Sequence, residues 1–166
     1  MILALHRHAA GAPAAGGPNT VVDEEAGLRW TLGEDAGPDA LLAREVVLDP
    51  STGWLMRHDR VEFQPGAIAY RHTHPGPGIR CLLYGAITID SAGEVATYRP
   101  GEAWFESGPE PVLATTAPFE PSAFVRVLLL PAEFAGLRTI RYVDPADADK
   151  PKTQKATILR EQPVVP

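Results

Sequence analysis

Residues 66–85 read GAIAYRHTHPGPGIRCLLYG, and this stretch decides the fold. A run of apolar and aromatic residues leads into His72-Thr73-His74 and stops at the breaker PGPG, residues 75–78. A second apolar run follows and reaches Gly85. Short runs of this kind, bounded by Gly and Pro, are typical of β-strands joined by turns. The stretch therefore predicts two successive strands, with the two histidines at the end of the first.

The same pattern continues on both sides of this stretch. Further strand-like segments are GWLMRHDRVEF (53–63), EVATY (94–98), AWFE (103–106), VLATT (112–116) and the almost wholly apolar AFVRVLLL (123–130). The chain of 166 residues contains 17 Pro and 15 Gly, which favours many short elements separated by turns. Strands at this spacing indicate an all-β sandwich or barrel, and the apolar 123–130 segment is predicted to be buried on both faces.

Charge and cysteine content exclude several classes of partner. The formal charge of −6 argues against nucleic acid and anionic membranes, because both require a basic face. No run of apolar residues is long enough to span a membrane. The single Cys81 forms no intrachain disulfide and is predicted to be a buried apolar residue. A cytoplasmic location follows as an expectation.

Three regions are predicted along the chain. Residues 1–18 are expected to be a flexible lead, 19–145 a β-barrel domain, and 146–166 a tail. The tail contains a β-like ATIL segment without a local partner, so it is either exposed or paired with an edge strand of a second subunit. His6 and His8 have the same spacing as the later pair but lie in the Ala/Gly-rich lead, and we predict no site there.

His72 and His74 are the candidate site. Residues i and i+2 of a strand point to the same face about 6.5–7 Å apart, so the two imidazoles can converge on one point. Neutral imidazole is a good ligand for Zn, Fe, Ni, Cu and Mn. The alternative is a pair of hydrogen-bonding histidines on a polar strand face.

Gly66-AIAYR-His72-Thr73-His74-PGPGIRCLLY-Gly85 resembles the first conserved motif of the cupin superfamily, and Gly101-EAWFESGPEPVLATT resembles the second. The resemblance covers residues 55–131. It implies a jelly-roll β-barrel with a metal in its cavity, and homodimerisation. The chain departs from the family at two ligands, since Gly78 stands at the Glu position and Val112 at the third-His position.

Three explanations of this departure remain open. Glu106 could turn inward and complete a two-His, one-carboxylate site for a divalent metal (Fe, Ni, Mn or Zn). His58, on the preceding strand, could supply a ligand instead. Otherwise the metal is lost, and Arg80 with the two histidines lines a site for a small anion. An Arg80–Glu106 ion pair is compatible with each of these.

The alternation of side chains between the two faces of a strand adds further residues to the candidate pocket. If Gly78 faces the cavity, so do Arg80, Leu82 and Tyr84, while Ile79, Cys81 and Leu83 face away. Trp104 and Glu106 share a face. The predicted pocket residues are Arg80, Leu82, Tyr84, Trp104 and Val112, with simple core packing as the alternative for the large apolar members.

Two functions remain open. The first is a metal-dependent cupin enzyme (an oxygenase, isomerase or lyase) acting on a small, anionic organic molecule. His72, His74 and Glu106 would be metal ligands, Glu106 otherwise a general base, and Arg80 the anchor of the substrate anion. The second is a non-catalytic binding or sensor protein built on the same cavity.

Overall fold

The computed structural model describes residues 1–9 and 17–165, and strands dominate it. Two short 3-10 helices, Ala132–Phe134 and Pro145–Asp149, interrupt them. Within the described residues no helix is long and apolar enough to cross a membrane. The strands are β1 (Ile2–Arg7), β2 (Thr20–Asp23), β3 (Leu28–Gly33), β4 (Ala40–Glu45), β5 (Trp54–Phe63), β6 (Ile68–Thr73), β7 (Gly78–Tyr84), β8 (Ile87–Ser91), β9 (Glu94–Tyr98), β10 (Ala103–Glu106), β11 (Val112–Thr116), β12 (Ser122–Pro131), β13 (Arg141–Tyr142) and β14 (Gln154–Pro163).

Strands β5 to β12 form a jelly roll. One antiparallel sheet has the order β10-β7-β12-β5-β14 and is called the β12 sheet; the other has the order β13-β6-β11-β8-β9 and is called the β11 sheet. Successive strands cross between the two sheets, except for the β8–β9 hairpin. This order is that of a double-sheet jelly roll, so the predicted fold class is confirmed.

A third sheet covers the outer face of the β12 sheet. It has the order β2-β3-β1-β4, and Leu5 and Trp30 from it pack into one cluster with Ile79, Cys81 and Val127. The facing residues Ile79 and Cys81 point away from the interior of the jelly roll, as period 2 predicts. Strand β12 is buried on both faces because one face meets this sheet and the other faces the interior.

The N-terminal sheet corrects the prediction of a flexible lead over residues 1–18. Strand β1 pairs with β3 on one edge and β4 on the other, and Leu3, Ala4 and Leu5 are fully buried. Residues 10–16 of that predicted lead lie outside the described residues. The apolar run at the start of the chain is short, and its pairing partners come later in the chain, so local pattern gave no reason to assign a strand.

The C-terminal segment is also paired within its own chain. Strand β14 runs antiparallel to β5 over the whole length of both strands, from Gln154 opposite Phe63 to Pro163 opposite Leu55. This pairing corrects the expectation that the ATIL segment lacks a partner in its own chain. The four ATIL residues are nevertheless exposed, as one of the two alternatives had it. The partner of the ATIL segment is almost a hundred residues earlier in sequence, beyond the reach of a local pattern. Homodimerisation itself stays a prediction.

We expect Leu5→Ala to lower the free energy of unfolding by about 2–5 kcal/mol, the usual range for a buried Leu. Leu41→Ala is the matched control, because Leu41 in the same sheet is 42% exposed, and its cost should stay within about 1 kcal/mol. Urea unfolding of both variants measures the difference. Equal, small effects would show that the N-terminal strand is not part of the core.

Candidate functional site

A cavity of about 510 Å³ lies between the two sheets of the jelly roll. This volume is in the range of small-molecule sites. Exposed residues at its rim include Leu137, Arg138 and Lys152. Its apolar wall consists of Val61, Phe63, Ala69, Ile89, Val112, Ala114 and Phe124. Its buried polar residues are Arg57, Asp59, His72, His74, Arg80, Glu106, Arg126 and Thr139.

The pairing of the strands places the polar and the apolar residues that line the cavity in separate rows. On the inner face of the β12 sheet, Asp59, Arg126 and Arg80 stand side by side across β5, β12 and β7. Two residues further along the same strands, the corresponding row is apolar and includes Val61 and Phe124. A ligand in this cavity therefore meets a charged layer and an apolar layer.

The charged layer is organised as two buried ion pairs. Nε and Nη2 of Arg126 donate to Asp59 Oδ2 at 3.1 and 2.9 Å, and Arg80 Nη2 lies 2.6 Å from Glu106 Oε2. Asp59 and Arg126 were not among the site residues predicted from the sequence. Arg126 stands in the otherwise apolar segment 123–130, and this position could have indicated a buried ion pair, because a buried Arg requires a partner.

His72 and His74 meet inside the cavity. Both side chains are 6% exposed, and their ring centroids are 5.0 Å apart with the planes nearly perpendicular. His72 Nδ1 lies 2.7 Å from the carbonyl oxygen of Tyr70. A carbonyl only accepts, so Nδ1 carries the proton and Nε2 of His72 has the lone pair. His74 Nδ1 is 3.2 Å from Thr139 Oγ1.

Both imidazoles are held in the neutral form. Burial lowers the pKa of His72, and the nearby Arg126 and Arg80 act in the same direction, while Glu106 opposes them. Burial also lowers the pKa of His74 well below its ordinary value, with further contributions from the same two arginines. At neutral pH the pair therefore offers lone pairs and no charge.

Gly78, at the position where the resemblance expects Glu, has no room for a side chain. A Cβ there would lie 2.5 Å from the carbonyl oxygen of Val127 and 3.1 Å from Nη1 of Arg80. The Arg80 guanidinium donates to the Gly78 carbonyl oxygen at 2.7 Å. Burial lowers the pKa of Arg80 to about 10, against the opposing effect of Glu106, so the group stays cationic at neutral pH. A cation thus lies beside the position where the family motif has a carboxylate.

Glu106 has both oxygens engaged. Trp104, two residues earlier on the same face, donates from Nε1 to Oε1 at 2.8 Å, and Arg80 lies against Oε2. His74 Nε2 faces Nη1 of Arg126 at 3.4 Å. In the part of the chain that the structure describes, no three His, Cys, Asp or Glu side chains are arranged to hold a metal ion. The donor set present is incomplete, and the metal site His72, His74 and Glu106 stays a prediction.

The other residues that the sequence predicted for the pocket differ in whether they line this cavity. Arg80 and Val112 line it. Leu82 packs in the apolar cluster behind the lining, and Trp104 in that cluster also lines a second cavity of about 270 Å³. The second cavity shares Ile89, Glu106 and Val112 with the first.

Two candidates point elsewhere. Tyr84 lines neither cavity and is 37% exposed, because the pairing of β7 with β12 shifts register before it and period 2 no longer carries it inward. His58 belongs to the outer face of the β12 sheet. Its ring lies 5.4 Å from the Trp30 ring, and its Nε2 lies 3.1 Å from Asp23 Oδ2. Its neighbour Asp59 faces the cavity instead.

The cavity lining carries more cations than carboxylates. The cations are Arg57, Arg80, Arg126, Arg138 and Lys152, and the carboxylates are Asp59 and Glu106. The whole chain has a formal charge of −6. Each of the three buried arginines is paired with a carboxylate, Arg57 with Glu161. The surplus of positive charge therefore lies at the exposed rim, at Arg138 and Lys152.

No protein-family model and no curated protein matches the chain. Among solved structures, the polyketide cyclase RemF from Streptomyces resistomycificus aligns at 23% identity, with a TM-score of 0.43, over 53% of this chain and 61% of its own. The chain thus spans about three fifths of RemF. KdgF from Halomonas sp. aligns at 25% identity and TM-score 0.42 over 49% of this chain and 74% of its own. A Cupin 2 conserved barrel domain protein from Salinispora arenicola aligns at 16% identity and TM-score 0.41, over 49% of this chain and 67% of its own.

The names of the matched structures and the strand order of this chain are separate observations. Several of the matched structures are named as cupins. The jelly roll itself rests on the strand order described above. What the matched proteins do remains a property of those proteins.

We expect Glu106→Gln to lower the free energy of unfolding by about 3 kcal/mol, because it leaves the Arg80 cation buried without its counter-charge. Glu110→Gln is the control, since Glu110 is exposed and should change stability by less than about 0.5 kcal/mol. Chemical denaturation of the two variants provides the measurement. A Glu106→Gln protein as stable as the control would contradict a structural role for this ion pair.

Proposed function

We propose that the protein is an acid–base enzyme that binds a small organic anion in the jelly-roll cavity without a resident metal. The observation that carries the proposal is the cavity lining, which has five cationic side chains against two carboxylates around a neutral histidine pair. Anions are recognised in proteins by such buried guanidinium groups. Of the reaction classes open from the sequence, isomerisation and elimination fit because each begins with a proton transfer.

Arg126 is the proposed anchor of the anion. Its Nε and Nη2 donate to Asp59, whereas Nη1 has, among the residues that the structure describes, only the 3.4 Å contact with His74. Arg80 was the anchor expected from the sequence, but it is fully buried and engaged by Glu106 and by the Gly78 carbonyl. Arg138 and Lys152 at the rim would draw an anion toward the opening.

His72 is the proposed proton acceptor. Its Nδ1–H bond to the Tyr70 carbonyl fixes the ring and leaves Nε2 as the basic nitrogen. Burial keeps the imidazole neutral and therefore able to accept a proton. The cation Arg126 would lower the energy of negative charge that develops on a bound carboxylate when a neighbouring C–H is deprotonated.

The apolar layer favours a ligand with an uncharged apolar part. Phe63 and Phe124 contact each other at a centroid distance of 5.6 Å and contribute to the apolar wall of the cavity. A carboxylate on the charged layer would direct such a part toward these rings, since the two layers are adjacent rows of the same sheet. A homodimer remains part of the proposal, carried over from the family resemblance.

A metal-dependent enzyme is the second candidate. The observation that favours it is the pair of Nδ1 contacts, to Tyr70 and Thr139, because metal-binding histidines usually have their second nitrogen engaged in this way. His72 and His74 would hold the ion, which would supply Lewis-acid chemistry when bound. Glu106 would have to exchange Arg80 for the metal.

We expect 3-phenylpropionate to bind at least tenfold more tightly than the neutral 3-phenylpropanamide at pH 7, because only the acid pairs with Arg126. The Asp59→Asn/Arg126→Gln double variant, which removes both charges of the pair together, should abolish this preference. Isothermal titration calorimetry gives the affinities.

The matched control is Arg71→Gln/Asp90→Asn, which removes an ion pair of the same length, 2.9 Å, from the exposed surface. It should leave the preference for the acid unchanged. Equal binding of acid and amide to the wild type, or a preference that survives in the buried-pair variant, would contradict the proposed anion site.

We expect the purified, untagged protein to hold well under one equivalent of Fe, Ni, Mn or Zn after incubation with each ion, because its donor set is incomplete. Elemental analysis of wild type, His72→Ala and the control His8→Ala gives the answer. One equivalent of metal in wild type and His8→Ala that disappears in His72→Ala would favour the second candidate.

A further inference from the structure

The Asp59 carboxylate uses only one of its two oxygens. Oδ2 accepts both hydrogen bonds from Arg126, while Oδ1 is buried and has no hydrogen-bond partner among residues 1–9 and 17–165. The side chain is 2% exposed and lines the cavity. A buried carboxylate oxygen without a donor is unfavourable, and such atoms in native proteins require an explanation.

The oxygen without a donor, Oδ1, belongs to Asp59, the ion-pair partner of the proposed anion anchor Arg126. Asp59 and Arg126 are directly opposite each other in the β5–β12 pairing. The first offers an unused acceptor, Oδ1, and the second an Nη1 edge whose contact with His74 is long, at 3.4 Å. Asp59 and Arg126 both line the cavity. An acceptor without a donor on the first, and a donor edge with one long contact on the second, suit a ligand with a donor close to its anionic group.

We infer that the ligand is a hydroxy acid, with its carboxylate on Arg126 and a neighbouring hydroxyl group that donates to Oδ1 of Asp59. This inference rests on the proposed function and names its substrate class. A hydroxyl group completes the hydrogen bonding of the carboxylate and accepts or donates without adding charge. Sites built to bind a substrate hydroxyl discriminate strongly against the analogue that lacks it, because a buried polar group is then left unpaired.

An ammonium group is the competing donor, and the charges disfavour it. Asp59 is already neutralised by Arg126, and Arg80 stands on the other side of Arg126 in the same row. A third cation at this position would face two guanidinium groups at low dielectric, where like-charge repulsion is costly. A hydroxyl donor avoids this repulsion.

The test uses three acids that share one carbon skeleton and differ in a single substituent: 3-phenyllactate, phenylalanine and 3-phenylpropionate. The same comparison with lactate, alanine and propionate tests smaller ligands that lack the phenyl group. We expect the hydroxy acid to bind wild-type protein at least tenfold more tightly than the unsubstituted acid and the amino acid, by calorimetry at pH 7.

Asp59→Asn should reduce the preference for the hydroxy acid to threefold or less. The Asn amide must give its oxygen to Arg126, so an uncharged N–H₂ group takes the place of Oδ1. The charge-assisted hydrogen bond from the ligand hydroxyl to a carboxylate is then replaced at best by a weaker neutral one. Asp90→Asn, at a partly exposed carboxylate outside both cavities, is the control and should keep the tenfold preference. The wild-type comparison stands even if the Asp59 variant fails to fold.

The outcomes separate this inference from the proposal beneath it. Equal affinities for the hydroxy and unsubstituted acids, with both tighter than the neutral amide, would overturn the hydroxy-acid assignment and leave the anion site intact. Tightest binding of the amino acid would overturn it in favour of an ammonium donor. Absence of binding by every acid in both sizes would overturn the proposed function and this inference together.

Discussion

The buried row of charge on the inner face of the β12 sheet is the constraint on which the rest of the site depends. Arg126 with Asp59, and Arg80 with Glu106, place four ionised groups in a region from which water is largely excluded. Each charge is tolerated there because its partner is in contact, and loss of one partner would leave the other uncompensated. Strand register fixes these contacts, since the row follows directly from antiparallel pairing.

The same charges determine the state of the histidines. Two guanidinium groups near the imidazoles add to burial in holding both rings neutral. They also place a cation beside the backbone of Gly78, where the cupin-like motif would have a carboxylate. A shared jelly roll is thus compatible with a site of different charge, which is why the fold leaves the reaction open.

A third arginine connects the site to the segments added around the jelly roll. Arg57 donates to Glu161 on β14 at 2.6 Å and to the Leu137 carbonyl at 2.6 Å, and Glu161 also accepts from the Gly136 amide. The rim segment and the last strand are therefore held by one buried guanidinium. On the other face, the N-terminal sheet covers the back of the β12 sheet, so that the charged row is shielded from solvent on that side.

Local pattern in the sequence determined the strands of the jelly roll, the turns between them and the common face of His72 and His74, because period 2 and Gly/Pro breakers act over a few residues. It also placed Trp104 and Glu106 on one face, where they form a hydrogen bond. Tertiary structure alone decided which distant groups meet. The Asp59–Arg126 pair joins residues 67 positions apart, and β1 and β14 find their partners only through the sheets that they join. The exclusion of any side chain at Gly78 has the same origin, since the atoms that fill its space come from β12 and from Arg80.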